Sequence, residues 1–120
     1  MDSINGWVAG EYGTLLHSSD GGKTWEKQES GVGTVSLYGV YFKDKNQGWV
    51  VGMDGVLIAT ADGGTNWKKL ESGTDKHLYS ISLIGDKARS VGTRGAYIVS
   101  NDGGLNWKKK KKAIRSQYWF

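Results

Sequence analysis

Short runs of alternating apolar and polar residues, broken by glycine-rich turns, fill the chain from end to end. Residues 35–42 (VSLYGVYF) and 77–84 (HLYSISLI) are rich in β-branched and aromatic side chains and read as strands. Two further strands are predicted where Trp7 to Gly10 and Trp49 to Gly52 carry small and branched residues, and three more at LLHS, LIAT and YIVS. Short strands also begin at Trp25, Trp67 and Trp107. Between these elements, EYG, MDG and TRG end on a glycine that can take positive φ. No segment sustains a helical period, so the chain is expected to be all-β.

The strands recur with a fixed spacing. SSDGGKTW (Ser18 to Trp25), TADGGTNW (Thr60 to Trp67) and SNDGGLNW (Ser100 to Trp107) align without gaps, and their aspartates lie 42 and 40 residues apart. Upstream of each lies a second matching stretch, GWVAGEYGTLLH, GWVVGMDGVLIA and ARSVGTRGAYIV, with Arg89 where the first two copies have Trp7 and Trp49. Each copy therefore reads as one four-stranded unit, over about 1–33, 34–74 and 75–112.

In each unit the third and fourth strands are joined by the DGG turn. Asp20, Asp62 and Asp102 can accept hydrogen bonds from the backbone of that turn, and Ser18, Thr60 and Ser100 can bond within it. Gly22, Gly64 and Gly104 supply conformations closed to other residues. Trp25, Trp67 and Trp107 offer large apolar faces to a neighbouring unit. Asn66 and Asn106 stand where the first copy has Thr24, and are expected to loosen their turns. A calcium site is the alternative use of these aspartates, but each turn offers one carboxylate where Ca²⁺ takes about 6–8 oxygens. No metal or cofactor is therefore expected.

These segments resemble the sialidase Asp-box, S-x-D-x-G-x-T-W. The pairing of a GWVVG-like strand with DGG-x-x-W is similar to the photosystem II stability and assembly factor family. The resemblance implies a β-propeller of three four-stranded Asp-box blades, non-catalytic, serving protein binding or assembly. It also implies, as partner, a photosystem II reaction-centre protein bound through loops on one face. Sialidases of the Asp-box class use three arginines, a Tyr paired with Glu, and an Asp. Here Arg89, Arg94 and Arg115 fall on a strand, a turn and a tail, so convergence on one carboxylate is not expected. His17 reads as a satisfied, partly buried residue, and His77 as the start of a strand without triad partners. Glu11, Asp54 and Asp75 are carboxylates of ordinary loops. The chain is read as no enzyme.

Partner contacts are expected on the turns joining second to third strands, at Glu11, Tyr12, Met53, Asp54, Thr93 and Arg94, with the neighbouring loops at 31–34 and 73–77. These positions differ most among the copies. A carbohydrate-binding, lectin-like propeller is the alternative, and Tyr12 is the one aromatic on those turns. Three blades do not close a ring, since propellers have roughly 4–8. Two copies of the chain would complete six blades by homodimerisation, with the tail at 113–120 as closing strand; a fragment of a longer propeller is the competing possibility.

Composition adds exclusions. Sixteen Lys and Arg against twelve Asp and Glu leave a net charge of +4, part of it in the run Lys108 to Lys112. That run is expected as a solvated outer strand that resists edge pairing, with contact to an anionic surface as the alternative. Basic residues spread over a groove are missing, so nucleic acid is not an expected partner. There is no Cys, hence no disulfide. MDSINGWVAG has no signal-peptide pattern, and no apolar run approaches the roughly 18 residues of a membrane span. The compartment is not legible.

Overall fold

The computed structural model describes residues 5–110. Among the described residues, eleven strands form three antiparallel sheets in chain order. The first sheet contains β1 (Gly6–Ala9), β2 (Leu15–Ser18) and β3 (Glu26–Lys27). The second contains β4 (Leu37–Phe42), β5 (Gly48–Gly52), β6 (Leu57–Thr60) and β7 (Lys68–Lys69). The third contains β8 (Leu78–Ile84), β9 (Lys87–Gly92), β10 (Tyr97–Ser100) and β11 (Lys108–Lys109). Each sheet is a meander, every strand pairing with its predecessor. The first has three strands among the described residues. Lys108 and Lys109 are exposed on the outermost strand. The closing strand expected at 113–120 lies outside the described residues.

Strand alternation explains how the sheets stack. Successive side chains of a strand point to opposite faces. On β5, Val50 turns toward Leu15 of the first sheet, while Trp49 and Val51 turn toward Leu78 and Ile98 of the third. Leu57 and Ile58 divide in the same way on β6. The second sheet is thus buried on both faces, and all of β5 is buried. Each of Leu15, Leu37, Val50, Leu57, Ile58, Leu78 and Ile98 is at most 1% exposed and contributes about 1.5–3 kcal/mol by leaving water.

The turns between second and third strands are single left-handed turns. Tyr12, Asp54 and Arg94 have φ of 57°, 59° and 55°, and the glycines after them 70°, 76° and 77°. Two consecutive positive φ values are what a type I′ hairpin requires, because that turn matches the strand twist. Thr14, Val56 and Ala96 close each turn by donating N–H to the carbonyls of Glu11, Met53 and Thr93. Gly55 is confined sterically as well, since a Cβ there would lie 2.0 Å from the Thr74 carbonyl oxygen.

These turns set opposite expectations for two substitutions. Gly55→Ala should destabilise by more than about 2 kcal/mol, combining left-handed strain with a backbone clash. Arg94→Gly should stabilise by about 0.5–1 kcal/mol, because the left-handed strain of Arg94 outweighs the added freedom of the unfolded chain. Urea midpoints at unchanged slope read both effects.

Candidate functional site

The two ends of the sheets carry different chemistry. At one end lie the three DGG turns. Ser18 Oγ donates to Asp20 Oδ1 at 2.8 Å and accepts the Gly22 N–H at 2.8 Å. Thr60 and Ser100 repeat both bonds with Asp62 and Gly64, and with Asp102 and Gly104, over 2.7–3.0 Å. Asp20 also accepts the N–H groups of Lys23 and Thr24 and the Thr24 hydroxyl. Asn66 and Asn106 do not loosen their turns, contrary to expectation. Their Nδ2 atoms donate to Asp62 Oδ2 at 3.0 Å and Asp102 Oδ2 at 2.7 Å, taking the place of the Thr24 hydroxyl. A carboxamide N–H and a hydroxyl both reach the same oxygen from this position.

These bonds hold all three carboxyls at a pKa of about 2. The largest cause is the Thr24 hydroxyl for Asp20, the Asn66 backbone N–H for Asp62, and the Asn106 backbone N–H for Asp102. Such groups stay ionised at neutral pH and do not serve as acids. Among the described residues, no three His, Cys, Asp or Glu side chains converge to hold a metal.

The tryptophans after the boxes link one sheet to the next. Trp107 is 9% exposed and donates its indole N–H to the Gly104 carbonyl at 2.8 Å. Trp49, from the preceding sheet, donates to the same oxygen at 3.0 Å. A Cβ on Gly104 would lie 2.6 Å from the Trp49 ring, so glycine is required for that approach. Trp67 meets Trp7 edge to face across the first seam, and Phe42 of its own sheet in the same way. Trp25 has the bond within its own box, to the Gly22 carbonyl at 3.1 Å, yet remains 42% exposed.

At the opposite end lie the left-handed turns. Ser30 and Ser72 donate to the carbonyls of Gly13 and Gly55 at 2.9 and 2.7 Å, fastening the loops that lead into β4 and β8 beside these turns. Both sets of candidate partner positions are therefore brought to one face. Tyr12 is 73% exposed; Glu11, Asp54 and Arg94 are exposed, while Met53 and Thr93 are half-buried.

Two aromatic residues that sequence reasoning missed, Tyr38 and Tyr79, stand among them, beside His77 of the 73–77 loop. A register shift in β4 and again in β8 puts Leu37 opposite Gly52 and Gly39 opposite Val51, with Tyr38 between; Tyr79 has the same place in β8. A bulge re-aims the extra side chain. The Tyr38 and Tyr79 rings are 5.1 Å apart, and His77 lies 6.4 Å from both. Thr93 Oγ1 donates to Tyr79 OH at 3.0 Å, and the Asp54 N–H donates to His77 Nδ1 at 3.0 Å. The trace of the bulge in the sequence is a break in alternation. Leu78, Ile81 and Leu83 are the buried residues of β8, with an odd step between the first two.

His17 is a satisfied, half-buried residue, as expected: Asn5 Oδ1 lies 2.9 Å from its Nε2, and its ring stacks on Trp7. Arg89 lies in β9 and Arg94 in a turn at the end of that strand, while Arg115 is outside the described residues.

The boxes set two further expectations. Ser100→Ala strips the buried Gly104 N–H of its acceptor and should cost about 1–3 kcal/mol. In acid titration, the depressed carboxyls contribute stability above their ordinary pKa of 3.8, and it is lost as pH falls through about 2. Unfolding followed from pH 5 downwards should show the loss below pH 4, and Asp20→Asn should flatten it.

A family model described as photosynthesis system II assembly factor YCF48 matches residues 31–117, and the BNR/Asp-box repeat matches residues 16–27. No curated protein matches. Among solved structures, YCF48 bound to D1 peptide is 28% identical with a TM-score of 0.75, covering 90% of this chain and 36% of that one. YCF48 from Cyanidioschyzon merolae is 31% identical with a TM-score of 0.69, covering 88% and 33%. An ancestral GH74 enzyme is 16% identical with a TM-score of 0.76, covering 93% and 17%, a likeness of fold alone. The chain spans about a third of the length of the two solved YCF48 proteins. On its sequence and its β-propeller fold, this chain belongs to the photosynthesis system II assembly factor YCF48 family.

Proposed function

We propose that the chain is a non-catalytic protein-binding module of assembly, which takes an extended segment of a partner on the face of left-handed turns. The observation that carries this reading is the Tyr38–His77–Tyr79 cluster, its two tyrosines aimed by equivalent bulges onto the face that bears Tyr12, Asp54 and Arg94. Aromatic residues with a polar handle dominate the energetics of protein contacts. The related YCF48 solved with a D1 peptide supports a peptide as the class of ligand. The non-catalytic reading is supported by three aspartates bound within their own turns and by the placing of Arg89 and Arg94 on a strand and a turn.

Self-association belongs to the same reading. Val8 and Trp25 on the first sheet, and Ile84 on the third, remain exposed. A second copy can cover both outer sheets and complete six blades. No helix among the described residues is long and apolar enough to cross a membrane.

Two measurements test these points. A labelled D1 peptide followed by fluorescence anisotropy should bind, and Tyr38→Ala or Tyr79→Ala should weaken it about thirtyfold, the loss of one hot spot of about 2 kcal/mol. Binding indifferent to both substitutions places the site elsewhere. Light scattering over a dilution series should give twice 13.1 kDa; a persistent monomer removes the shared ring.

A further inference from the structure

The seam between the second and third sheets opens, at its box end, into a cleft of about 700 Å³. This lies away from the face of left-handed turns. One wall is the β6–β7 hairpin with Ala59, Trp67 and Leu70; the other is the third box. Its origin is two positions of the repeat, Ala59 and Leu83, which stand where the first seam has His17 and Phe42. In the first sheet the counterpart of Ala59 is His17, each opposite a tryptophan in register. The His17 ring stacks on Trp7 at 4.3 Å, and Trp7 stacks on Phe42 at 4.6 Å, so that three rings fill the first seam. Ala59 has a methyl group in place of that ring, and Trp49 turns its N–H to Gly104 instead. The third sheet repeats the wall with Val99 and Trp107, as a shallower hollow of about 230 Å³.

The lining selects a kind of ligand. Its volume is that of a small-molecule site. Two ammonium groups, Lys43 and Lys68, balance two carboxylates, Asp62 and Asp102, which favours a ligand without net charge. Asn66 and Asn106 each direct one N–H to an aspartate and keep a carbonyl and a second N–H. Planar amides beside an indole and the Leu70 and Leu105 side chains offer hydroxyl partners next to an apolar surface.

We infer that this cleft binds an uncharged saccharide of one or two rings, whose hydroxyls meet the Asn66 and Asn106 amides while a ring face rests on the apolar wall. The site is independent of the peptide face. At the turns aromatic residues do not repeat, whereas the cleft needs no repetition, because smaller residues open one seam.

The test is a titration of the full chain with cellobiose, maltose, lactose and xylobiose, following by NMR the indole N–H of Trp49, which lines the cleft, with glucuronic acid and glucosamine as charged controls. At least one neutral sugar should shift that resonance with a Kd of about 1 mM or tighter. Ala59→His, which restores the filling residue of the first seam, should weaken binding at least about tenfold. Asn66→Thr and Asn106→Thr place at those positions the residue that closes the first box, yet remove the amides; each should weaken binding about fivefold without unfolding. Tyr38→Ala and Tyr79→Ala should leave sugar binding unchanged, which separates failure of this site from failure of the peptide face. Three results overturn the inference: no response to any neutral sugar at roughly 10 mM, binding that survives both Thr substitutions, or tighter binding of a charged control.

Discussion

A buried hydroxyl at the end of each third strand holds this architecture together. Ser18, Thr60 and Ser100 are no more than 5% exposed, and each accepts a glycine N–H while donating to an aspartate. The glycine fixed in this way presents its carbonyl. In the third box that oxygen receives two indole N–H groups, one from its own sheet and one from the sheet before. A local turn thereby becomes the joint between sheets, and the distance between blades is set by hydrogen bonds as well as by apolar contact. Were the hydroxyl absent, the glycine N–H would be buried unsatisfied and the carbonyl would lose its orientation.

The seams show how one joint accommodates different fillings. Across the second seam both indoles reach the Gly104 carbonyl. Across the first, Trp7 is drawn between His17 and Phe42, and the Trp67 N–H has no acceptor among the described residues. The repeat thus fixes the backbone of each seam but not its packing, which follows from single side chains such as Ala59 and His17.

Much of this was legible in the sequence, for physical reasons. LLHS, LIAT and YIVS coincide with β2, β6 and β10, because alternation and the following turn both mark them. The boxes are local, so spacing alone revealed their partners. What escaped was non-local or depended on geometry. Tyr38 and Tyr79 read as ordinary strand residues, since a bulge changes parity without changing composition. His77 was read as lacking triad partners; that its Nδ1 accepts the Asp54 N–H, 23 residues away in sequence, was beyond local reading. Asn66 and Asn106 were misjudged because residue type was weighed above the donor each supplies. The left-handed conformation of Tyr12 and Arg94 was hidden by side chains that disfavour it.

That conformation bears on how the face meets other molecules. Tyr, Asp and Arg occupy the same backbone shape to within 4° in φ, so the outline of the face is constant while its chemistry varies. A rigid outline loses little freedom on association, and preorganisation of this kind favours affinity without added contact area. Selectivity at such turns rests on the side-chain tips alone. One scaffold can therefore change its clientele by a few substitutions, provided each newcomer tolerates being held left-handed.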